Sequence, residues 1–387
     1  MKLVVEGWRF VHHSFAVANQ HQLLEFLRRP QIQVFHRDLP YLDQTWKPQS
    51  GLFTADEEQQ LRQIPPPPLY LQADATLRMV MPYDLSDSDS RRTYVFGTTE
   101  WRIVQQAMLK MMGIEDFAQA HQDSETVIIT PSHWSRDGFL RAGAVPERVR
   151  VVPHGVDTAV FHPATAAQRQ RWRQQSQLEG CFAFLNIGVM TWNKGLRMLL
   201  KAFAEVTHRY PQARLVLKGS DAIRNSRTFV LEGLNEMLTP QERDRVIPRL
   251  AYIGRSLSTQ ELAQLYQTCD AYISPYLAEG FNMPVLEAAA SGLPILCTKG
   301  GSTDDFTDRR FTRYIDSELK QVEWDHEIRD YLHPSLEHTV ALMSQLIETP
   351  SFIEQARRTA PEWVQQGFTW QHIVDRLLTV MDSSEIV

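Results

Sequence analysis

The chain has 387 residues, 43% of them hydrophobic and 22% charged, with a formal charge of -6. That length suits two domains of ordinary size, and the mild acidity argues against a nucleic-acid binder working through bulk charge. Cys181, Cys269 and Cys297 are too few and too scattered for a disulfide framework or a zinc site. Each lies in or beside an apolar run, as buried free thiols of a reducing compartment do. No window approaches the roughly 18 apolar residues of a membrane span, and MKLVVEGWRF lacks the long apolar region of a signal peptide. The expectation is a cytoplasmic protein, with peripheral membrane contact left open.

Along the chain, short apolar runs alternate with helical periodicity. Residues 3–7 (LVVEG) predict a strand, 14–29 a helix with Ser14 as N-cap, and 32–36 the next strand, which together make one βαβ unit. The polar stretch 43–68, ending in IPPPPLY, predicts a stiff extended connection. Strands follow at ATLRMVMP and RTYVFGTT, at 126–132 running into a helix start, and at 149–157 ending in a turn. The Gln/Arg-rich segment 162–180 carries no strand signal and predicts a boundary. Beyond it the alternation restarts: strand 182–189, amphipathic helix 196–210, strands 213–219 and 249–255, helix 261–269, strand DAYISPY, helix VLEAAASG and strand PILCT. From about 335 the pattern is purely helical. The layout is α/β: a domain over 1–165, a second over 166–345 and a helical tail over 346–387, each domain a doubly wound parallel sheet. Two such domains imply a cleft, with ligands at the carboxyl ends of the strands.

The segment 279–295, EGFNMPVLEAAASGLPI, holds Glu279 and Glu287 eight positions apart. A strand precedes it, and Pro284 suits the first turn of a helix, whose free N–H groups and dipole favour an anion. Carboxylates on either side of such a turn accept hydrogen bonds from hydroxyls, as sugars and ribose offer. From spacing alone, two exposed glutamates remain the simpler alternative. AAASG predicts close helix–sheet packing and a glycine C-cap. A second strand-to-helix loop, 187–195 (IGVMTWNKG), carries Lys194, suited either to a phosphate or to solvent. Lys218 in LKG and Arg255 in YIGR stand at two further strand ends.

EGFNMPVLEA, with its E-x7-E spacing, resembles the signature of retaining GT-B glycosyltransferases of family 4. So do 131–143, 149–163, 193–206 and 252–276, in that family's order, whereas 8–125 matches loosely. The resemblance implies two Rossmann-like domains facing a cleft, a last helix (about 369–383) crossing back to the first domain, and a UDP- or GDP-linked sugar in the second. Glu279 would contact the transferred sugar and Glu287 the ribose hydroxyls. The backbone of Phe281, Asn282 and Met283 would face the sugar, and that of Val285 and Leu286 the diphosphate. Lys194 would bind phosphate beside Gly188, and Arg255 would lie near the base. No metal or other cofactor is implied. The Asp-x-Asp of 87–90 sits in a polar loop of the first domain.

The sequence also departs from the family. Gly188-Val189 stands where Gly-Arg is common, so one positive charge is missing, for which Lys218 or Arg255 could compensate. The glycine-rich turn after the first strand shrinks to Gly7. Candidates for acceptor or phosphate on the first domain are Gly7, Arg9, His12, His13, Ser14, Asp84, Thr99 and Glu100; for His12 and His13 the alternative is a structural or surface role, and for Asp84 an Asx-turn. The expected activity is retaining transfer of a sugar to a hydroxyl acceptor, either a polysaccharide, a glycolipid or a small molecule. The rivals are a catalytically weak partner subunit, a nucleotide-sugar epimerase and a plain sugar-nucleotide binder.

Overall fold

The computed structural model describes residues 1–382, which divide into two compact units. The first comprises Met1–Gly155, Val322–Arg329 and the segment from Phe368 onward. Its sheet contains β1 (Lys2–Gly7), β2 (Gln33–Asp38), β3 (Ala75–Met79), β4 (Thr93–Phe96), β5 (Val127–Thr130) and β6 (Val149–Val151). The order is β2-β1-β3-β4-β5-β6 and every pairing is parallel. Leu3, Val4 and Val5 are consecutive and all buried, the mark of a strand covered on both faces.

Two local expectations are corrected in this unit. Helix Ser14–Leu27 is capped by His13, whose Nδ1 accepts from Phe15 N at 3.3 Å; Ser14 is the first helical residue and exposed. The polar stretch 43–68 is only partly extended, because Ala55–Gln63 is a helix. Thr54 and Glu57 form a reciprocal capping box at its start, and Ile64, the first residue of the proline run, ends it. With only Glu58 and Leu61 buried, that helix lacks the apolar stripe by which helices are found.

The last helix, Trp370–Asp382, groups with this unit, as the resemblance implies; its expected end at 383 lies outside the described residues. Trp370 stacks on His21, with ring centroids 4.9 Å apart and planes at 11°, and lies 6.1 Å from His154. Arg29 pairs with Asp375 at 2.5 Å. A Cβ at Gly155 would come within 2.7 Å of the Trp370 backbone, so only glycine permits this approach. Burial lowers the pKa of both His21 and His154 to about 3, with Arg28 adding to the effect at His21. Both lie below the unfolded value, so the rings stabilise the fold fully above about pH 6.5 and lose that contribution as pH falls toward 3. The expected loss approaches about 4 kcal/mol per ring at pH 3. Tryptophan fluorescence against pH should show the transition, and His21→Phe should shift it to lower pH.

The second unit comprises Val156–Gln321 and Asp330–Gly367. Its sheet contains β7 (Phe182–Ile187), β8 (Ala213–Lys218), β9 (Leu250–Ile253), β10 (Ala271–Ser274), β11 (Ile295–Thr298) and β12 (Thr312–Ile315). The order is β12-β11-β10-β7-β8-β9, again parallel throughout. Helix Leu196–Arg209 buries Leu199, Leu200 and Phe203 against Phe184, Leu215, Leu217 and Ile273. Successive strands run outward in opposite directions from β7, which places the switch point of the sheet between β7 and β10.

The domain limits shift accordingly. The two units divide at Gly155/Val156, ahead of the expected 165/166. Helix Ala166–Gln175 has no buried residue, yet Arg169 and Arg173 fix it to Asp270 at 2.5 and 2.9 Å. It is anchored by charge rather than by an apolar face, so its sequence carries no hydrophobic periodicity. The tail is not one piece either. Helices Leu336–Glu348 and Pro350–Gly367 belong to the second unit, where Met343, Leu346 and Phe352 join its core. Residues 317–334, unassigned by periodicity, form a two-stranded sheet of β13 (Ser317–Trp324) and β14 (Glu327–Pro334). Cys269 and Cys297 are buried and free as expected; Cys181 is free but only partly buried.

Candidate active site

The carboxyl ends of β7 and β10 meet at the switch point through the loops that follow them. After β7 comes 188–195, closed by a single 3-10 turn at Trp192–Lys194; after β10 comes 275–282. Asn193 joins the two. Its carbonyl accepts from Leu277 N at 2.7 Å, and its side-chain amide donates to Ala278 O at 3.1 Å. Thr191 Oγ1 holds the amide oxygen at 2.7 Å. Gly195 is in the left-handed region with φ 71°, where a Cβ would stand 1.9 Å from Pro275 O. Asn, Lys and Gly therefore have separate tasks: Asn193 staples the loops, Gly195 lets them touch and Lys194 reaches across. Gly195→Ala should cost about 3 kcal/mol or more in urea unfolding, since it combines left-handed strain with a backbone collision.

Lys194 Nζ meets Glu279 Oε1 at 2.6 Å, with side chains 19% and 8% exposed. This is a mostly desolvated ion pair held by loops 85 residues apart in sequence. An ammonium has three donors and a carboxylate about four acceptor sites, more than this one contact uses. Gly188 lies beneath it: a Cβ there would meet only the Lys194 side chain, at 3.6 Å.

Helix Met283–Ala290 begins next to Glu279. Its N-cap, Asn282, adopts φ 79°, a conformation Asn tolerates better than most residues, and its amide donates to Ser274 Oγ at 2.9 Å. The turn is further fixed by Ser302 Oγ donating to Phe281 O at 3.2 Å and by the Phe281 ring stacked on Phe306 at 4.4 Å. Val285 N–H donates to Asn282 O at 3.0 Å, which closes the first turn of the helix. Met283 is half-buried and Leu286 buried. The AAASG run behaves as expected: Ala288, Ala289 and Ala290 are buried, and Gly292 follows the helix end with φ 79°.

Glu287 lies one turn into the helix, half-buried, and Tyr266 OH donates to its Oε2 at 2.7 Å. Burial raises its pKa to about 7, against the lowering influence of that hydrogen bond. Neither glutamate is the exposed surface residue that spacing alone favoured. Asn193 and Tyr266 were not singled out in the sequence; Asn193 could have been, as part of the NKG run.

Lys218 and Arg255 do not join this pair. Lys218 is buried, donates to Gly219 O and has its pKa lowered mainly by burial. Arg255 is largely exposed beyond the edge strand β9 and pairs with Glu261 at 2.9 Å.

The candidates on the first unit have mostly structural employment. A Cβ at Gly7 would lie 2.7 Å from Met79 O. Arg9 is buried and pairs with Asp38 at 2.5 Å, its other nitrogen donating to Leu61 O. His13, besides capping its helix, packs edge-on against Trp8, and burial lowers its pKa to about 4. His12 is half-buried and Ser14 exposed. Asp84 makes the Asx-turn, accepting from Ser86 N at 3.0 Å. Thr99 is locked to Ser135: its Oγ1 donates to Ser135 O at 2.8 Å and its N–H to Ser135 Oγ at 2.7 Å. Glu100 offers its carbonyl to Trp134 Nε1 at 2.8 Å.

Residues 182–315, which contain the whole Lys194–Glu279–Glu287 cluster, match the family described as Glycosyl transferases group 1. With two six-stranded parallel sheets, the chain has the GT-B fold, and the match to the glycosyltransferase family lies within the second unit. Among its relatives, mannosylfructose-phosphate synthase of Agrobacterium fabrum is 29% identical over 160 residues, 41% of this chain and 34% of that protein. MMP alpha-(1->4)-mannosyltransferase of Mycolicibacterium hassiacum is 24% identical over 260 residues, 66% of this chain and 54% of that one. The chain thus spans about a third to a half of the length of these curated relatives. Among solved structures, Anabaena Alr3699/HepE in complex with UDP-glucose superposes with a TM-score of 0.68 at 15% identity, over 98% of this chain and 99% of that one.

Proposed function

We propose that the chain transfers a sugar, with retention at the anomeric carbon, from a UDP- or GDP-linked donor to a hydroxyl of a polysaccharide, a glycolipid or a small molecule. The observation that carries this reading is the Lys194–Glu279 pair at the switch point of the second unit, one helix turn from a carboxylate suited to a ribose. Lys194 holds the diphosphate and takes up the charge that develops as it leaves, a role a fixed cation performs well in a site with little water. Glu279 accepts from hydroxyls of the transferred sugar, and Glu287 from those of the ribose. In the step itself, the bond from the anomeric carbon to the diphosphate oxygen breaks and the acceptor oxygen bonds to the same face. The acceptor proton passes to the leaving phosphate. No metal or other cofactor enters this scheme. A sugar-nucleotide donor is supported by the UDP-glucose held in the structural neighbour, and sugar transfer by the name of the mannosyltransferase relative. No helix among the described residues is long and apolar enough to cross a membrane, and contact at a membrane surface is compatible with a glycolipid acceptor.

Val189 favours a second reading, a catalytically weak partner subunit, because it supplies no charge where the family commonly has arginine. A thermal-shift panel of millimolar UDP, GDP and their sugars tests the proposal, since a ligand selective for the native state raises its stability. One nucleotide series should raise the melting temperature, and Glu287→Ala should diminish that rise. Indifference to every nucleotide would overturn it.

A further inference from the structure

At the far edge of the second unit's sheet, away from β7, a cavity of about 350 Å³ opens between β12 and helix Leu336–Glu348. Its size is at the lower end of small-molecule sites, roughly 300–1,000 Å³. Lys299, Arg309 and Arg313 line it, against the single carboxylate of Asp316, which lies 3.0 Å from His338 Nδ1. None of the three cations forms an ion pair with a carboxylate among the described residues. Arg313 donates only to Arg309 O at 3.3 Å and lies over the Phe352 ring at 3.4 Å. Partial burial lowers its pKa. Thr312, also in the lining, is 1% exposed, and its Oγ1 has no hydrogen-bond partner. A buried hydroxyl without a partner is uncommon and costs about 1–3 kcal/mol.

We infer that this cavity binds a phosphate monoester, separate from the Lys194–Glu279 site. Within the lining, three cations against one carboxylate leave a surplus of two, with Asp304 acting on Lys299 from outside it; this surplus suits a dianion, and an arginine fork with a nearby hydroxyl matches phosphate oxygens. A singly charged carboxylate would leave one cation uncompensated.

The test is isothermal titration of the full chain with glycerol 3-phosphate, with glycerol as the uncharged control. Two variants separate the sites. Lys299→Gln/Arg309→Gln alters two exposed side chains and should leave the fold intact; Lys194→Ala alters the other phosphate candidate. The expected result is saturable binding to the wild type, weakened about tenfold or more in the double variant and changed less than about twofold by Lys194→Ala. Arg313→Met should also weaken binding, and if that variant does not fold the double variant still decides. Absence of saturable binding, binding equal to that of glycerol, or loss only in Lys194→Ala would overturn the inference.

Discussion

Lys194→Ala is expected to lower the rate of sugar transfer about 100- to 1,000-fold, the usual effect of removing one fixed donor from a developing negative charge. It should fall mainly in kcat, because the charge on the leaving diphosphate grows along the reaction. The substitution also leaves Glu279 buried at 8% side-chain exposure without its ammonium partner. Stability should therefore drop by about 3 kcal/mol in chemical denaturation. Lys194→Arg keeps the charge and should recover most of the stability but less of the rate, because a planar fork cannot take the place of a point donor 2.6 Å from Glu279. A variant equal to wild type in rate, yet less stable, would reduce Lys194 to a structural partner of Glu279.

The second large effect concerns Glu287. Its pKa of about 7 in the fold exceeds the usual 4.5 because burial penalises the carboxylate. The neutral form is therefore the favoured one: the group's contribution is complete below about pH 4.5 and is lost as pH rises through 7. Relative to Glu287→Gln, the wild type should lose about 2–3 kcal/mol between pH 5 and pH 8, measured by urea unfolding at each pH. Ligand binding should have the opposite dependence. If the ionised carboxylate receives the ribose hydroxyls, affinity for a nucleotide sugar should rise about tenfold from pH 6 to pH 8 in the wild type and stay flat in Glu287→Gln. The diphosphate of a nucleotide sugar has no proton to lose in that range, so the comparison isolates the glutamate. Tyr266 should contribute too, since its hydroxyl donates to the charged form.

What the sequence disclosed follows from how local each signal is. Apolar runs such as LVVEG and FAFLNIGV predicted strands because parallel strands are buried on both faces. Lys194, Glu279 and Glu287 were legible as strand-end and helix-start residues, and the resemblance was carried by the same segments. Their mutual arrangement was not. The staple from Asn193 to Ala278 and the hydrogen bond from Tyr266 to Glu287 span 85 and 21 positions, and no periodicity reports a contact across strands. The two-stranded sheet of 317–334 escaped because β13 is exposed or half-buried along its length, so its faces carry no hydrophobic alternation. His13 took the cap expected of Ser14 because an imidazole nitrogen can accept from the second helical amide, a role usually read from hydroxyls and carboxylates. Most first-unit candidates make packing or turn contacts that the sequence did not disclose, for a similar reason: a polar residue near a strand end looks alike in sequence whether it faces a ligand or a neighbouring backbone.

The central claim is that sugar transfer occurs at the Lys194–Glu279 pair. The most direct measurement is release of nucleoside diphosphate by the purified chain from a panel of UDP- and GDP-sugars, wild type beside Glu279→Gln, which keeps the size of the side chain. The account predicts turnover of at least one donor by the wild type and a fall of about 100-fold or more in the variant. No turnover of any donor, or rates within about twofold of each other, would contradict it.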